Sequence, residues 1–374
     1  MRNNCDTYGG PGESPGMHRE PAGRPAGWEP VCMDQKELQY SGRIDITDAK
    51  KPEFIFPASS LHFRFYGKKA ELTVYNRGGA GWRYFAGAIV DGVQKRFPLP
   101  ADGRIRLVLI DGEEGEHEIL FFKRQDSCHE MVLEELRLSE GGRLLEPQER
   151  PARRIEVYGD SISVGEVSEA VEYLGVEDPE HRGEYTNSWY SYAWILARKL
   201  GAELHNISQS GIPLLNGSGW VMPPALPGME SVWDKLHYHP QWKRTDKWDF
   251  SRYTPHLVLI AIGQNDSNPE DYMKTDPEGV KAANWRCAYR KLVRDIRKRY
   301  PKALIILATT ILEHDEGWDR AIGRVCEELG DARVRHFMYR KNGCGTKGHV
   351  RIPEAEEMAE ELARFIEGLD IPVF

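Results

Sequence analysis

The sequence predicts two domains: an antiparallel β-sandwich, then a three-layer α/β/α unit with a mostly parallel sheet. Three observations carry this expectation. The 374 residues exceed what one hydrophobic core usually organises. From residue 31 to 150, short segments alternate apolar and polar residues between glycine turns. From residue 151 to 374, apolar runs are separated by stretches of helical periodicity.

Residues 1–30 are rich in glycine, proline and charge, and lack the apolar content that offsets ordering entropy, so a flexible leader is expected there. In the sandwich, Leu61-His62-Phe63-Arg64-Phe65, the run from Glu71 to Tyr75 and the run from Glu116 to Phe121 each alternate, as strands with one buried face do. Turn signals at Gly67, Gly78-Gly79, Asp91-Gly92, Asp102-Gly103 and Asp111-Gly112 separate them. His62, His117 and His129 read as surface residues, because none has a second ligand at metal-binding spacing. Nothing in this domain carries chemistry. Pro147, Pro151 and the charged run ending at Arg154 read as a linker.

Beyond Arg154, the runs Ile155 to Tyr158, Leu257 to Ile262 and Ala303 to Thr309 read as buried parallel strands. Helical spacing appears in Trp189, Tyr192, Ala193, Leu196 and Leu200, and again in Trp285, Ala288, Leu292 and Ile296. A third set, Ala355, Met358, Ala359, Leu362, Phe365, Ile366 and Leu369, follows Pro353 near a helix start.

Composition excludes several classes. Fifty basic residues stand against 58 acidic ones with no basic run, which argues against a nucleic-acid partner. No apolar run is long enough to cross a membrane. The six cysteines lack paired spacing, so neither a disulfide framework nor a zinc site is expected, and no cofactor or metal is called for. The first thirty residues contain no apolar segment of the signal-peptide kind, so a cytoplasmic location is expected.

In a sheet of this kind, catalytic groups belong in loops beyond the carboxyl ends of the strands. Four such loops hold suitable residues: Gly159-Asp160-Ser161, Ser208-Gln209-Ser210-Gly211, Gly263-Gln264-Asn265-Asp266 and Gly348-His349. Acyl transfer needs a nucleophile, a base and donors for an oxyanion. Ser161 and His349 supply the first two. The backbone N–H groups of Ser161 and Gly211 and the Asn265 amide supply the donors.

These four blocks, in this order, resemble the SGNH (GDSL-type) hydrolases. The upstream sandwich, with Arg154-Ile155-Glu156-Val157-Tyr158-Gly159-Asp160-Ser161-Ile162 and the stretch from Trp248 to Ile260, is similar to carbohydrate esterase family 2. The resemblance covers roughly residues 38–374 and implies a jelly-roll module packed on a flavodoxin-like SGNH domain. It also implies serine-dependent deacetylation of polysaccharides such as xylan or mannan, with an acetylated carbohydrate as partner.

The sequence departs from the SGNH pattern where an aspartate usually precedes the histidine; Thr346 and Lys347 stand there. A Ser–His dyad is therefore expected, with His349 held by a carbonyl in residues 343–346 or by Thr346 itself; Asp315 or Glu316 is the alternative acid. Asp160 and Asp266 read as loop organisers. The long connection from Gly211 to Asp249 carries Trp220, Trp233, Trp242 and Trp248. Long loops tend to be functional and flat aromatic faces suit sugar rings, so Trp220 and Trp233, together with Asp160, are candidate substrate contacts. The acidic loop from Glu166 to Asn187 is expected to border the crevice. Three other readings stay open: an SGNH esterase or acetyltransferase acting on another acyl substrate, a catalytically silent carbohydrate-binding protein, and a homo-oligomer assembled through the first domain.

Overall fold

The computed structural model describes residues 27–79 and 81–374. Most of the expected leader lies outside the described residues. Its last part does not: Trp28–Val31 is a strand paired antiparallel with residues 136–139.

Ten strands among the described residues form one antiparallel sheet in the first domain. Two of them, Ser60–Gly78 and Asp102–Lys123, are long and pair along most of their length, with register shifts at Gly67/Lys69 and Ala70/Glu71. Such irregularities bend a strand, and here they let a single sheet wrap a core that includes Phe63, Phe65, Leu72, Leu109 and Phe121. The alternation read in the sequence is the inward face of these strands. His129 corrects the surface reading: it is fully buried, with Nδ1 2.6 Å from Asn76 Oδ1.

The second domain has five parallel strands: Arg153–Gly159, Ala202–Ser208, Leu257–Ala261, Leu304–Ala308 and Val334–His336. In space their order is second, first, third, fourth, fifth. The chain reverses its direction of winding beside the first strand, and the crevice beyond that strand's carboxyl end is where ligands bind in such sheets. The expected helices are Tyr192–Lys199, Val280–Arg299 and Ile352–Glu367, with Pro353 in the first turn of the last. The helix Gly317–Leu329 and the strand at Val334 were not foreseen.

The two domains share their packing. Ile55 and Phe56 of the first belong to the core on one face of the parallel sheet, and Ala58 and Phe122 to the core on the other. Arg43, fully buried, donates to the Tyr158 hydroxyl at 2.7 Å and to the Trp233 carbonyl at 2.7 Å. A second contact is ionic. Arg244 donates to Glu53 and Asp45 at 2.8 Å each, and His237 lies 3.1 Å from Glu130 and 3.0 Å from Asp45.

Candidate active site

Gly159 ends the first parallel strand, and the chain turns at once into the short helix Ser161–Val164. A Cβ at Gly159 would lie 2.1 Å from Ser163 Oγ and 2.9 Å from Ser208 Oγ, so only glycine fits between them. Asp160 caps the helix by accepting from Ile162 N at 3.1 Å. Its other oxygen accepts from Gln264 Nε2 at 2.9 Å and Asn265 Nδ2 at 3.3 Å, which ties the first loop to the third. Burial pushes the Asp160 carboxyl up to about 6, against the pull of the Ile162 N–H. With no exposed surface, Asp160 braces the loops and does not meet substrate, which corrects its place among the candidate contacts.

The second loop meets the segment after the short helix through Ser210, whose hydroxyl donates to Glu166 Oε2 at 2.9 Å. Gly211 has φ +74°, and a Cβ there would come within 2.9 Å of Trp220 Cβ. The backbone N–H groups of Ser161 and Gly211 have no acceptor among the described residues. In the third loop, Asn265 Nδ2 also donates to the Ile212 carbonyl at 3.1 Å, so both of its amide hydrogens are engaged. Asp266 organises the long connection by accepting from Leu214 N at 2.6 Å and Leu215 N at 3.0 Å; burial holds its carboxyl up at about 7.

The group behind His349 is Asp178. Its Oδ2 lies 2.6 Å from His349 Nδ1, and its Oδ1 accepts the His349 backbone N–H at 2.8 Å. Arg351 Nη2 donates to Oδ1 at 2.7 Å, and His181 Nε2 lies 3.0 Å from Oδ2. Burial opposes ionisation of Asp178, but the hydrogen bonds from His181 and His349 outweigh it and hold the carboxyl well below the usual range. The expected dyad with a backbone carbonyl or Thr346 behind the histidine is thereby overturned, as are the alternatives Asp315 and Glu316. An ionised carboxylate only accepts, so Nδ1 carries a proton and Nε2 is left to act as base. Among the described residues, no hydrogen bond joins Ser161 Oγ to His349. Such contacts are often long before substrate binds.

The loop bearing Asp178 is held from three sides. Arg124 of the first domain donates to Glu169 Oε2 at 2.5 Å and to the Thr186 carbonyl at 3.1 Å. Arg351 donates to the Ala170 carbonyl at 3.0 Å. Gly348 lets the chain approach: a Cβ there would lie 2.5 Å from Asp178 Oδ1 and 2.7 Å from the Val176 carbonyl.

A cleft of about 610 Å³ runs beside these loops, lined from the first domain by Trp82, Tyr84, Gln125 and Asp126 and from the second by Glu166, Gln209, Ser210 and Trp220. Ser161 and His349 do not line it; of the residues that do, Ser210 donates to Glu166, and the Glu166 N–H donates to the Ser161 carbonyl. Trp220 is 66% exposed on its wall, whereas Trp233 packs on Phe250 at 5.5 Å and does not line the cleft. The first domain, read as chemically silent, supplies Asp126, which accepts from Gln209 Nε2 at 2.7 Å and Ser210 N at 2.9 Å.

Two groups bring three metal-binding side chains close together among the described residues: Asp178, His181 and His349, and Asp45, Glu53 and His237. In the first, the donor atoms already meet in hydrogen bonds, so an ion would have to break the Asp178–His349 pair to enter. In the second, the Arg244 guanidinium already supplies the positive charge.

Residues 40–147 match the family model described as carbohydrate esterase 2 N-terminal, and residues 157–335 match the GDSL-like lipase/acylhydrolase family. The chain is 29% identical over 342 residues to the cellulase/esterase CelE of Acetivibrio thermocellus, covering 88% of this chain but only 39% of that protein. It is 26% identical over 341 residues to an acetylxylan esterase / glucomannan deacetylase of Cellvibrio japonicus, covering 89% and 88%. Among solved structures, a family two carbohydrate esterase from Clostridium thermocellum, in complex with cellohexaose, superimposes with a TM-score of 0.72 at 27% identity, over 88% of this chain and 98% of that one.

Proposed function

Because the chain belongs to the SGNH (GDSL-type) hydrolases of the carbohydrate esterase family 2 kind, we propose that it is a serine esterase removing O-acetyl groups from poly- or oligosaccharides of the xylan or mannan type. The observation that carries this reading is the Asp178–His349 pair, together with a serine at the carboxyl end of the first parallel strand, where the winding reverses.

Ser161 Oγ attacks the ester carbonyl while His349 Nε2 takes its proton. Asp178 keeps the imidazole in the required tautomer and stabilises the imidazolium that forms. The tetrahedral oxyanion is met by the unengaged N–H groups of Ser161 and Gly211, and by Asn265 once its amide exchanges the Ile212 carbonyl for the substrate. His349 then protonates the departing sugar hydroxyl. Water repeats the sequence on the acetyl-serine, using the same base. Trp82 and Trp220 offer exposed apolar faces to a sugar chain lying in the cleft between the domains.

The silent-binding alternative drew its support from an absent acid behind the histidine, and Asp178 removes that support. The test is Ser161→Ala. We expect acetate release from acetylated xylo- and manno-oligosaccharides and from 4-nitrophenyl acetate to fall about 10⁶-fold with the unfolding transition preserved. Retained turnover on both substrates sinks the mechanism.

A further inference from the structure

His181 is a side chain near the base that the mechanism leaves without work. It stands between two carboxyl groups. Nε2 lies 3.0 Å from Asp178 Oδ2, and Nδ1 lies 3.8 Å from Glu166 Oε1. Its ring meets the His349 ring edge-on, with centroids 5.0 Å apart. Glu166 is 7% exposed; its Oε2 is occupied by Ser210, and its Oε1 has no hydrogen-bond partner. Its backbone N–H donates to the Ser161 carbonyl at 3.0 Å, so this carboxylate is fixed by the nucleophile's own turn. The remaining charged group facing His181 is Arg351, whose guanidinium is occupied by Asp178 and by the Ala170 and His349 carbonyls.

We propose that His181 is a positioning residue that takes the proton which would otherwise settle on His349, and so keeps the catalytic base neutral at acid pH. The two imidazoles share one aspartate oxygen and lie too close for both to be cationic without cost. His181 has a carboxyl group at each nitrogen: Asp178, held ionised by its hydrogen bonds, and Glu166, which burial pushes upward. His349 has one at Nδ1, and Nε2 must be left for the serine. The first proton to enter the pair therefore goes to His181. In keeping with this, the hydrogen bond to Asp178, chiefly, raises the basicity of His181. Its occupation leaves His349 able to accept from Ser161, and the neighbouring positive charge resists a second protonation. Activity is lost only when that second proton arrives.

This inference rests on the Ser161–His349 esterase reading, and it is tested with 4-nitrophenyl acetate. The readout is the acid limb of kcat/KM in the full-length chain, for the wild type, His181→Gln, Glu166→Gln and Ser161→Ala. The glutamine at 181 still donates to Asp178 but cannot hold the proton. In His181→Gln the limb should move upward by about one pH unit; in Glu166→Gln it should move the same way by less. A limb that stays in place, moves downward, or gives way to an equal loss at every pH overturns the assignment, the last marking a purely structural role. Turnover retained by Ser161→Ala removes the parent reading instead, and this one with it.

Discussion

Two histidine-centred charge clusters in this molecule are built from the same residue types and do different things. One joins His349 and His181 to Asp178 beside Ser161; the other joins His237 to Asp45 and Glu130, with Arg244 against it, between the domains. In the interdomain cluster the His237 side chain is fully enclosed, and both ring nitrogens face carboxylates. Nothing is left over to meet a substrate. In the site cluster the His349 side chain keeps 18% of its surface exposed, with one nitrogen committed and the other open. The inventory of titratable groups therefore does not separate a candidate catalytic cluster from a structural one; the uncommitted atom does.

This contrast can be broken by exchange of effects. Asp178→Ala should lower kcat on 4-nitrophenyl acetate on the order of 10³- to 10⁴-fold, with a smaller loss of stability from the Arg351 guanidinium it leaves without that partner. Stability that falls as steeply as activity would put Asp178 with the interdomain group. Arg244→Leu should do the reverse. It leaves Asp45, Glu53 and Glu130 facing one another, at a cost of about 2 kcal/mol after its partial exposure is discounted. Denaturant unfolding measures that loss, and kcat should hold; a fall in kcat without a fall in stability would erase the distinction.

The smallest effect is a pH dependence that both clusters share. Asp45 and Asp178 are held below the ordinary carboxylate range: burial opposes this in each, and hydrogen bonds prevail. A depressed carboxyl contributes stability above its unfolded value, near 4, and loses it as pH falls through the folded value. The thermal midpoint should therefore drop progressively below about pH 4. Asp45→Asn should start lower and fall less, and an unchanged slope would remove the cluster from the acid response.

The fold was legible because periodicity reports local burial: the strand at Ile155, the strand at Leu257 and the last helix emerged within three residues of their observed bounds. Ser161, Gly211, Asn265 and His349 were legible as candidates for a related reason, since each sits at a strand end or before a helix, where position along the chain implies position in space. Asp178 was not. It lies 171 residues before the histidine it serves, in a loop whose acidic residues look alike in sequence. What selects it is tertiary: Arg351 and Arg124 hold the loop, and Gly348 gives the carboxylate room. The glycine before His349 was the available signal. Trp233 was misread for the opposite reason, because aromatic content marks a wall and a core equally well.

Arg124 also bears on how far the two halves are separable. It sits at the end of a sandwich strand, yet its guanidinium fixes the loop carrying the acid behind the base. The sandwich is thus not a detachable accessory. A chimera that keeps the hydrolase half and borrows another sandwich inherits the proposed nucleophile and the histidine, but it must also inherit an arginine at this strand end to keep the histidine aimed.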